Sequence, residues 1–116
     1  MKNAIEKKTM SFAIRVVNSY KYLTTEKREY ILAKQMLKSG TSIGANVAEA
    51  QRAQSKADFV SKISIALKEA NETAYWLKLL YKTEYFDATQ YDSLNSDLDE
   101  IIRMLVSICN TSKQDN

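Results

Sequence analysis

The 116-residue chain has no proline, no histidine, two glycines and one cysteine. Average usage at this length would supply about six prolines and eight glycines. Folds with many tight turns depend on those two residues. Their scarcity excludes turn-rich all-β architectures and points to a few long helices with short connections. Without histidine there is no Ser-His-Asp or Cys-His catalysis, and the usual catalytic zinc sites are excluded. A single cysteine, Cys109, excludes an intramolecular disulfide and a multi-cysteine metal cluster; it also fits a reducing compartment. No run of about eighteen apolar residues is present for a transmembrane span. The opening Met1-Lys2-Asn3-Ala4-Ile5-Glu6-Lys7-Lys8 lacks the apolar stretch of a signal peptide. The expectation is a soluble, cytoplasmic protein that uses no membrane, cofactor or metal. Its length fits one domain, 1–116, and its 45% hydrophobic and 27% charged content is that of a folded chain.

What is present is helical periodicity in four segments. The first covers about residues 3–22, with Ile5, Phe12, Val16, Ser19 and Leu23 at three-to-four spacing and Thr9 in the missing step. Asn3 and Glu6 have capping-box spacing. The second is expected from about residue 25 to 53, with a Thr24 or Thr25 hydroxyl as cap and Glu26 in the first turn. Ile31, Ala33, Leu37, Ile43, Val47 and Ala50 are its apolar positions. Gly40 and Gly44 interrupt it at about 1 kcal/mol each relative to alanine, and the helix is expected to continue through them. The third, 55–83, opens on Ser55-Lys56-Ala57-Asp58 and carries Phe59, Ile63, Leu67, Ala70, Ala74, Leu77 and Tyr81, flanked by Ile65, Ala66, Trp76 and Leu80. The fourth, 88–110, follows Asp87-Ala88-Thr89-Gln90 and carries Tyr91, Leu94, Leu98, Ile101, Leu105 and Ile108. Residues 111–116 read as a frayed polar tail. Short connections force consecutive helices antiparallel. The predicted fold is an all-α, up-down-up-down four-helix bundle. A three-helix alternative, with the second and third helices fused, is disfavoured by the fresh start at Ser55.

Charge is unevenly placed. Residues 1–38 hold nine basic and three acidic side chains, whereas residues 87–116 hold two basic and six acidic. Lys2, Lys7, Lys8, Arg15, Lys21, Lys27, Arg28, Lys34 and Lys38 are therefore candidate contacts for nucleic-acid phosphates. The competing reading pairs the first and last helices so that their charges balance. A solvated face with no partner is also ordinary.

One stretch departs from the plain bundle pattern: Ser39-Gly40-Thr41-Ser42-Ile43-Gly44-Ala45-Asn46-Val47-Ala48-Glu49-Ala50. Ser39, Ser42, Asn46 and Glu49 form a polar stripe on a helix. Gly40, Gly44 and Ala48 form a small-residue groove that lets another backbone approach. The stripe is either a recognition surface and buried hydrogen-bond network, or helix packing in which hydroxyls bond to carbonyls one turn back. Folding the third helix back about residue 54 brings Asn46 beside Ile63 and Glu49 beside Val60, with Glu69 near Ser39, Ser42 or Lys38. Glu49, Glu69 and Glu72 are the carboxylates to test as an acid–base pair or metal site. Di-metal bundles use Glu-x-x-His, which this chain lacks, and Gly40-x-x-x-Gly44 is not followed by Gly-Lys-Ser/Thr. No catalytic residue is assigned. Tyr75, Trp76, Tyr81, Tyr85 and Phe86 cluster near the end of the third helix, as a base-stacking or partner surface or as a bundle-end cap and oligomer interface.

The Ser39–Ala50 run, with Ser55, Phe59 and Ile65-Ala66-Leu67-Lys68-Glu69-Ala70, resembles the bacterial four-helix-bundle proteins encoded within intervening sequences of 23S ribosomal RNA genes. The resemblance spans about Phe12 to Cys109. It implies an antiparallel bundle that assembles as a homo-oligomer, typically a pentameric ring. That family is similar to the accessory variability determinant proteins of diversity-generating retroelements, which are basic pentameric barrels that bind nucleic acid and a reverse transcriptase. Many members carry Ser-Asn-x-x-Glu-Gly where this chain has Ala45-Asn46 and Glu49-Ala50. The functional expectation is a non-enzymatic homo-oligomer that binds RNA or DNA through basic residues of the first two helices. The alternative is a scaffold ring for a protein partner.

Overall fold

The computed structural model describes residues 3–114. The chain forms α1 (Ala4–Thr25), α2 (Ile31–Ala50), α3 (Lys56–Lys82) and α4 (Ala88–Gln114). Each helix packs on its sequence neighbours, and α4 returns against α1. The result is an antiparallel four-helix bundle 47 × 23 × 20 Å, with no strand among the described residues. Lys2 and the last two residues of the expected tail lie outside the described residues. Thr111 to Gln114 continue α4 as helix.

Three helix starts follow the capping residues. Asn3 accepts from the Glu6 N–H at 3.0 Å, and Ser55 accepts from the Asp58 N–H at 3.0 Å. Asp87 and Gln90 each accept the other's backbone N–H at 2.8 Å, a reciprocal capping box. The start of α2 is the correction. It begins at Ile31, not near residue 25, because Thr24 and Thr25 donate backwards to the carbonyls of Tyr20 and Lys21 and so extend α1. Residues 26–30 then form the connection, with Arg28 at φ 55°. That left-handed backbone is incompatible with a continuing α-helix. The Glu29 carboxylate caps α2 instead, accepting from the Ala33 N–H at 2.8 Å. At its other end α2 stops at Ala50, three residues short of the expected end at residue 53. The N–H groups of Arg52 and Ala53 bond three residues back to Glu49 and Ala50, tightening the turn before Ser55.

The core is one cluster. α1 supplies Ile5, Phe12, Val16 and Leu23, α4 supplies Leu94, Leu98, Ile101, Leu105 and Cys109, and Phe86 closes one end. On α3 the buried face is Ile63, Ala66, Ala70, Thr73, Leu77 and Leu80. It is rotated from the expected series, because Leu67, Ala74 and Tyr81 are only half-buried. On α2 Met36, Ser39 and Gly40 are buried, whereas Ile31, expected in the core, is 76% exposed. It sits at the first helical position, past the end of the packed layer.

α2 runs unbroken through Gly40 and Gly44, and neither glycine has a positive φ. Their role is steric. A Cβ on Gly40 would lie 2.9 Å from both γ-carbons of Val16, and a Cβ on Gly44 would lie 3.3 Å from the Thr9 carbonyl oxygen. The small-residue groove is thus where α1 lies against α2. Val16 is fully buried and β-branched, so its χ1 cannot swing aside. Overpacking costs typically 1–3 kcal/mol and exceeds the roughly 1 kcal/mol of helix propensity that alanine adds. Gly40→Ala is expected to lower unfolding stability by about 1 kcal/mol in urea titration. Gly44→Ala, with a looser contact, is expected to stay within about 0.5 kcal/mol of the parent.

Candidate functional site

The four polar stripe residues fall into three environments. Ser39 is buried, and Thr73 of α3 lies 2.8 Å from its hydroxyl. Thr73 is also 2.8 Å from the Glu69 carbonyl. A hydroxyl has one proton; when Thr73 gives it to Glu69, the Ser39 hydroxyl donates in turn to Thr73. Ser42 and Asn46 are half-buried and bond within their own helix, to the carbonyls of Lys38 at 2.7 Å and Ser42 at 2.9 Å. Glu49 is exposed and meets Lys62 of α3 at 3.3 Å, two residues along from the expected Val60. The packing reading therefore describes most of the stripe, and a buried polar pair describes Ser39. The sequence pattern did not single out Thr73. Its signal was a hydroxyl residue spaced three from Ala70 and four from Leu77, in core register.

The three candidate carboxylates have separate surroundings. Glu49 is paired with Lys62, Glu72 accepts the Trp76 indole N–H at 3.0 Å, and half-buried Glu69 contributes its backbone carbonyl to Thr73. Among the described residues no three His, Cys, Asp or Glu groups converge as metal ligands. No described helix is long and apolar enough to cross a membrane. Cys109 is buried, with its Sγ 3.6 Å from the Ser64 hydroxyl.

The candidate cations divide into two sets. Lys8 meets Glu100 at 2.7 Å, and Arg15 meets Asp97 at 2.6 Å while also donating to the Ser93 hydroxyl and carbonyl. The hydrogen bond to Glu100 raises the Lys8 pKa; desolvation opposes the rise, and the charges of Glu100 and Asp97 add to it. These two cations balance the acidic helix α4. Lys7, Lys21, Lys27, Arg28, Lys34 and Lys38 are exposed and make no ion pair among the described residues. They lie along the outer side of α1, in the connection and on the first half of α2. Between α1 and α2 the same outer side carries a groove of about 500 Å³. Its small-residue floor is Ala13, Gly44, Ala45 and Ala48, its rim includes Glu6 and Arg52, and Met10, 62% exposed, forms one wall.

The Ser39–Thr73 pair has an asymmetry that stability measurements can read. Ser39→Ala leaves Thr73 bonded to Glu69 and is expected to cost about 1 kcal/mol. Thr73→Val strands the buried Ser39 hydroxyl and is expected to cost about 1–3 kcal/mol. The double variant is expected to cost less than the sum of the two in urea titration, because neither polar group remains.

No curated protein matches the chain. Among solved structures, the crystal structure of a protein with unknown function from the S23 ribosomal protein family of Bacteroides thetaiotaomicron VPI-5482 is 55% identical. It covers 91% of this chain and 98% of its own, with a TM-score of 0.91. The model of the 23S rRNA-intervening sequence protein family matches residues 1–107. With the bundle, its small-residue contact and the Ser39–Glu49 stripe already in place, that match over nearly the whole length settles the affiliation: the chain belongs to the 23S rRNA-intervening sequence protein family.

Proposed function

We propose that this chain is a non-enzymatic, homo-oligomeric helical bundle that binds RNA or DNA through phosphate contacts. The observation that carries the reading is the sorting of its cations. Lys8 and Arg15 are engaged by α4, while Lys7, Lys21, Lys27, Arg28, Lys34 and Lys38 are exposed and make no ion pair among the described residues. Six such cations, carried by α1, α2 and the connection between them, form a polyanion-binding surface. A single copy binds weakly, and repetition around an oligomer multiplies the effect. Five subunits is the number the family resemblance implies. The apolar groove at Met10, Ala13, Ala45 and Ala48, beside an Ile14 that is 55% exposed, is a surface for self-association; it lies toward the start of α1 and the end of α2, which leaves Lys27, Arg28 and Lys34 at the other end open. The absence of an enzymatic role is supported by the three carboxylates, each of which has its own structural surroundings.

A second reading, a protein-interaction scaffold, is favoured by α3. Tyr75 is 60% exposed with its ring edge-on to Trp76, and Lys78, Leu79 and Lys82 continue that surface. Anchors of this type are common at protein interfaces.

Light scattering coupled to size exclusion, before and after nuclease treatment, reads subunit number and bound nucleic acid together. A multiple of the 13.2 kDa chain mass is expected. Binding of a labelled RNA duplex is expected to fall steeply with salt. Lys34→Gln or Lys38→Gln is expected to reduce the slope of log K against log salt by about 0.9 for each phosphate the lysine neutralises. Arg15→Met is expected to leave that slope unchanged and to lower stability by about 1 kcal/mol. No retention of structured RNA or DNA at low salt overturns the nucleic-acid reading.

A further inference from the structure

The α1–α2 connection combines three features found together nowhere else on the described surface. The first is charge: Lys27, Arg28 and Lys34 are exposed, within eight residues of chain, and make no ion pair among the described residues. The second is an uncovered flat and apolar surface, with Tyr30 58% and Ile31 76% exposed. The third is backbone strain. Arg28 sits at φ 55° while the Glu29 N–H reaches over it to the Leu23 carbonyl at 2.9 Å. A bulky residue in that region is disfavoured, and glycine would adopt it freely. The acidic neighbours differ in availability. Glu26 is exposed, and Glu29 is turned to the α2 backbone, where it caps Ala33.

Glu84, in the α3–α4 connection, provides an internal comparison. It also has a positive φ, 71°. The Tyr85 N–H bonds to the Leu80 carbonyl at 2.9 Å around it, in a Schellman-type helix end where glycine is the usual residue. The aromatics near it are packed. Phe86 is buried, and Tyr81 stacks on Tyr91 with ring centres 4.6 Å apart. The two connections at this end of the bundle thus share a side-chain-bearing residue at positive φ and differ in what they present. At the second, Lys82 lies 5.8 Å over a half-buried Tyr81 whose ring is already stacked on Tyr91, whereas the first offers an exposed aromatic face among cations.

From this we infer that the α1–α2 connection is a contact for unpaired nucleotides, with Tyr30 stacking on a base and Arg28, Lys27 and Lys34 holding the adjacent phosphates. The inference rests on the nucleic-acid reading above and narrows it from polyanions in general to single-stranded segments or loops. Base stacking on an exposed aromatic is sequence-tolerant and needs an unstacked base, which a duplex does not offer. Lysines alone favour the duplex, whose charge density is higher. The chemistry of the patch therefore favours single strands over duplexes, whereas the six-cation surface does not.

The test is fluorescence anisotropy of the full chain with a labelled single strand of about 12 nucleotides, a span within the range of such contacts, its duplex, and an acidic peptide of comparable charge. Single strand is expected to bind several-fold more tightly than duplex. Tyr30→Ala is expected to weaken single-strand binding about tenfold and leave duplex binding unchanged. Arg28→Gly is expected to raise the melting temperature by roughly 3–5 °C, by relieving the strained backbone. It is also expected to weaken single-strand binding and lower its salt slope by about 0.7. Glu84→Gly is expected to raise the melting temperature similarly with no loss of binding. If Tyr30→Ala and Arg28→Gly bind single strands as the parent does, or if the acidic peptide binds as tightly, this inference fails while duplex binding still upholds the broader reading. If neither nucleic acid binds, both fail together.

Discussion

The approach of α1 to α2 over Gly40 sets the geometry of the bundle. With no Cβ in the way, the Val16 methyl groups lie directly over the α2 backbone, and Gly44 makes a second, looser approach to the backbone of Thr9. Two such contacts one turn apart fix the separation and register of the first pair of helices. About a quarter-turn round from Gly40, the adjoining face of α2 carries Ser39, which meets Thr73 and sets its register against α3. α2 is thus held on two faces, sterically by glycine and directionally by a buried hydroxyl pair. α4 is joined to α1 differently, by Arg15 with Asp97 and Ser93 and by Lys8 with Glu100. Those pairs are half-exposed and add modestly to stability, so the helix-to-helix closure depends mainly on the Leu94–Leu105 side of the core.

Much of this was legible in the chain. Of the expected α1 stripe, Ile5, Thr9, Phe12, Val16 and Leu23 are buried and only Ser19 is half-buried, because one apolar face repeats with little competition. Asn3, Ser55 and Asp87 marked helix starts correctly because each has its spacing partner three residues on. The start of α2 was not legible. A threonine pair before a helix and a threonine pair at the end of one look alike in sequence, and only the direction of the hydroxyl bonds separates them. Glu29 caps from a position where a carboxylate ordinarily reads as a surface charge. The α3 face was misread by a small rotation, because Leu67 and Tyr81 are as apolar as Ala66 and Leu80 but lie on the flank. Thr73 was hidden for a different reason: the apolar series chosen for α3 ran through Ala74, so the hydroxyl one residue earlier read as outside the core face.

The polar stripe illustrates how one motif can serve several physical ends. Ser39 provides a buried polar contact, Ser42 and Asn46 satisfy themselves on their own helix, and Glu49 reaches outward to Lys62. Spacing showed that they share a face but not how deeply each is set. The charge asymmetry behaved similarly. The balance between α1 and α4 and the surplus on α1 and α2 are both real, and individual cations belong to one or the other according to whether a carboxylate of α4 lies within reach.

The two ends of the bundle are unlike. One carries the five-residue connections 26–30 and 83–87, both with a side-chain-bearing residue at positive φ. The other carries the tight turn after Ala50, tied to the start of α1 by the Asn3 amide donating to Gln51 at 3.1 Å. A bundle of this kind has a direction, like an arrow. Any assembly whose rotation axis runs parallel to that arrow is a plate with two different faces, one lined with every copy of Tyr30 and Arg28 and the other with every copy of Gln51. No rotation about that axis exchanges them. A long strand lying across such a plate would meet the same connection repeatedly on one side only, so the asymmetry of a single helix pair becomes the sidedness of the whole particle.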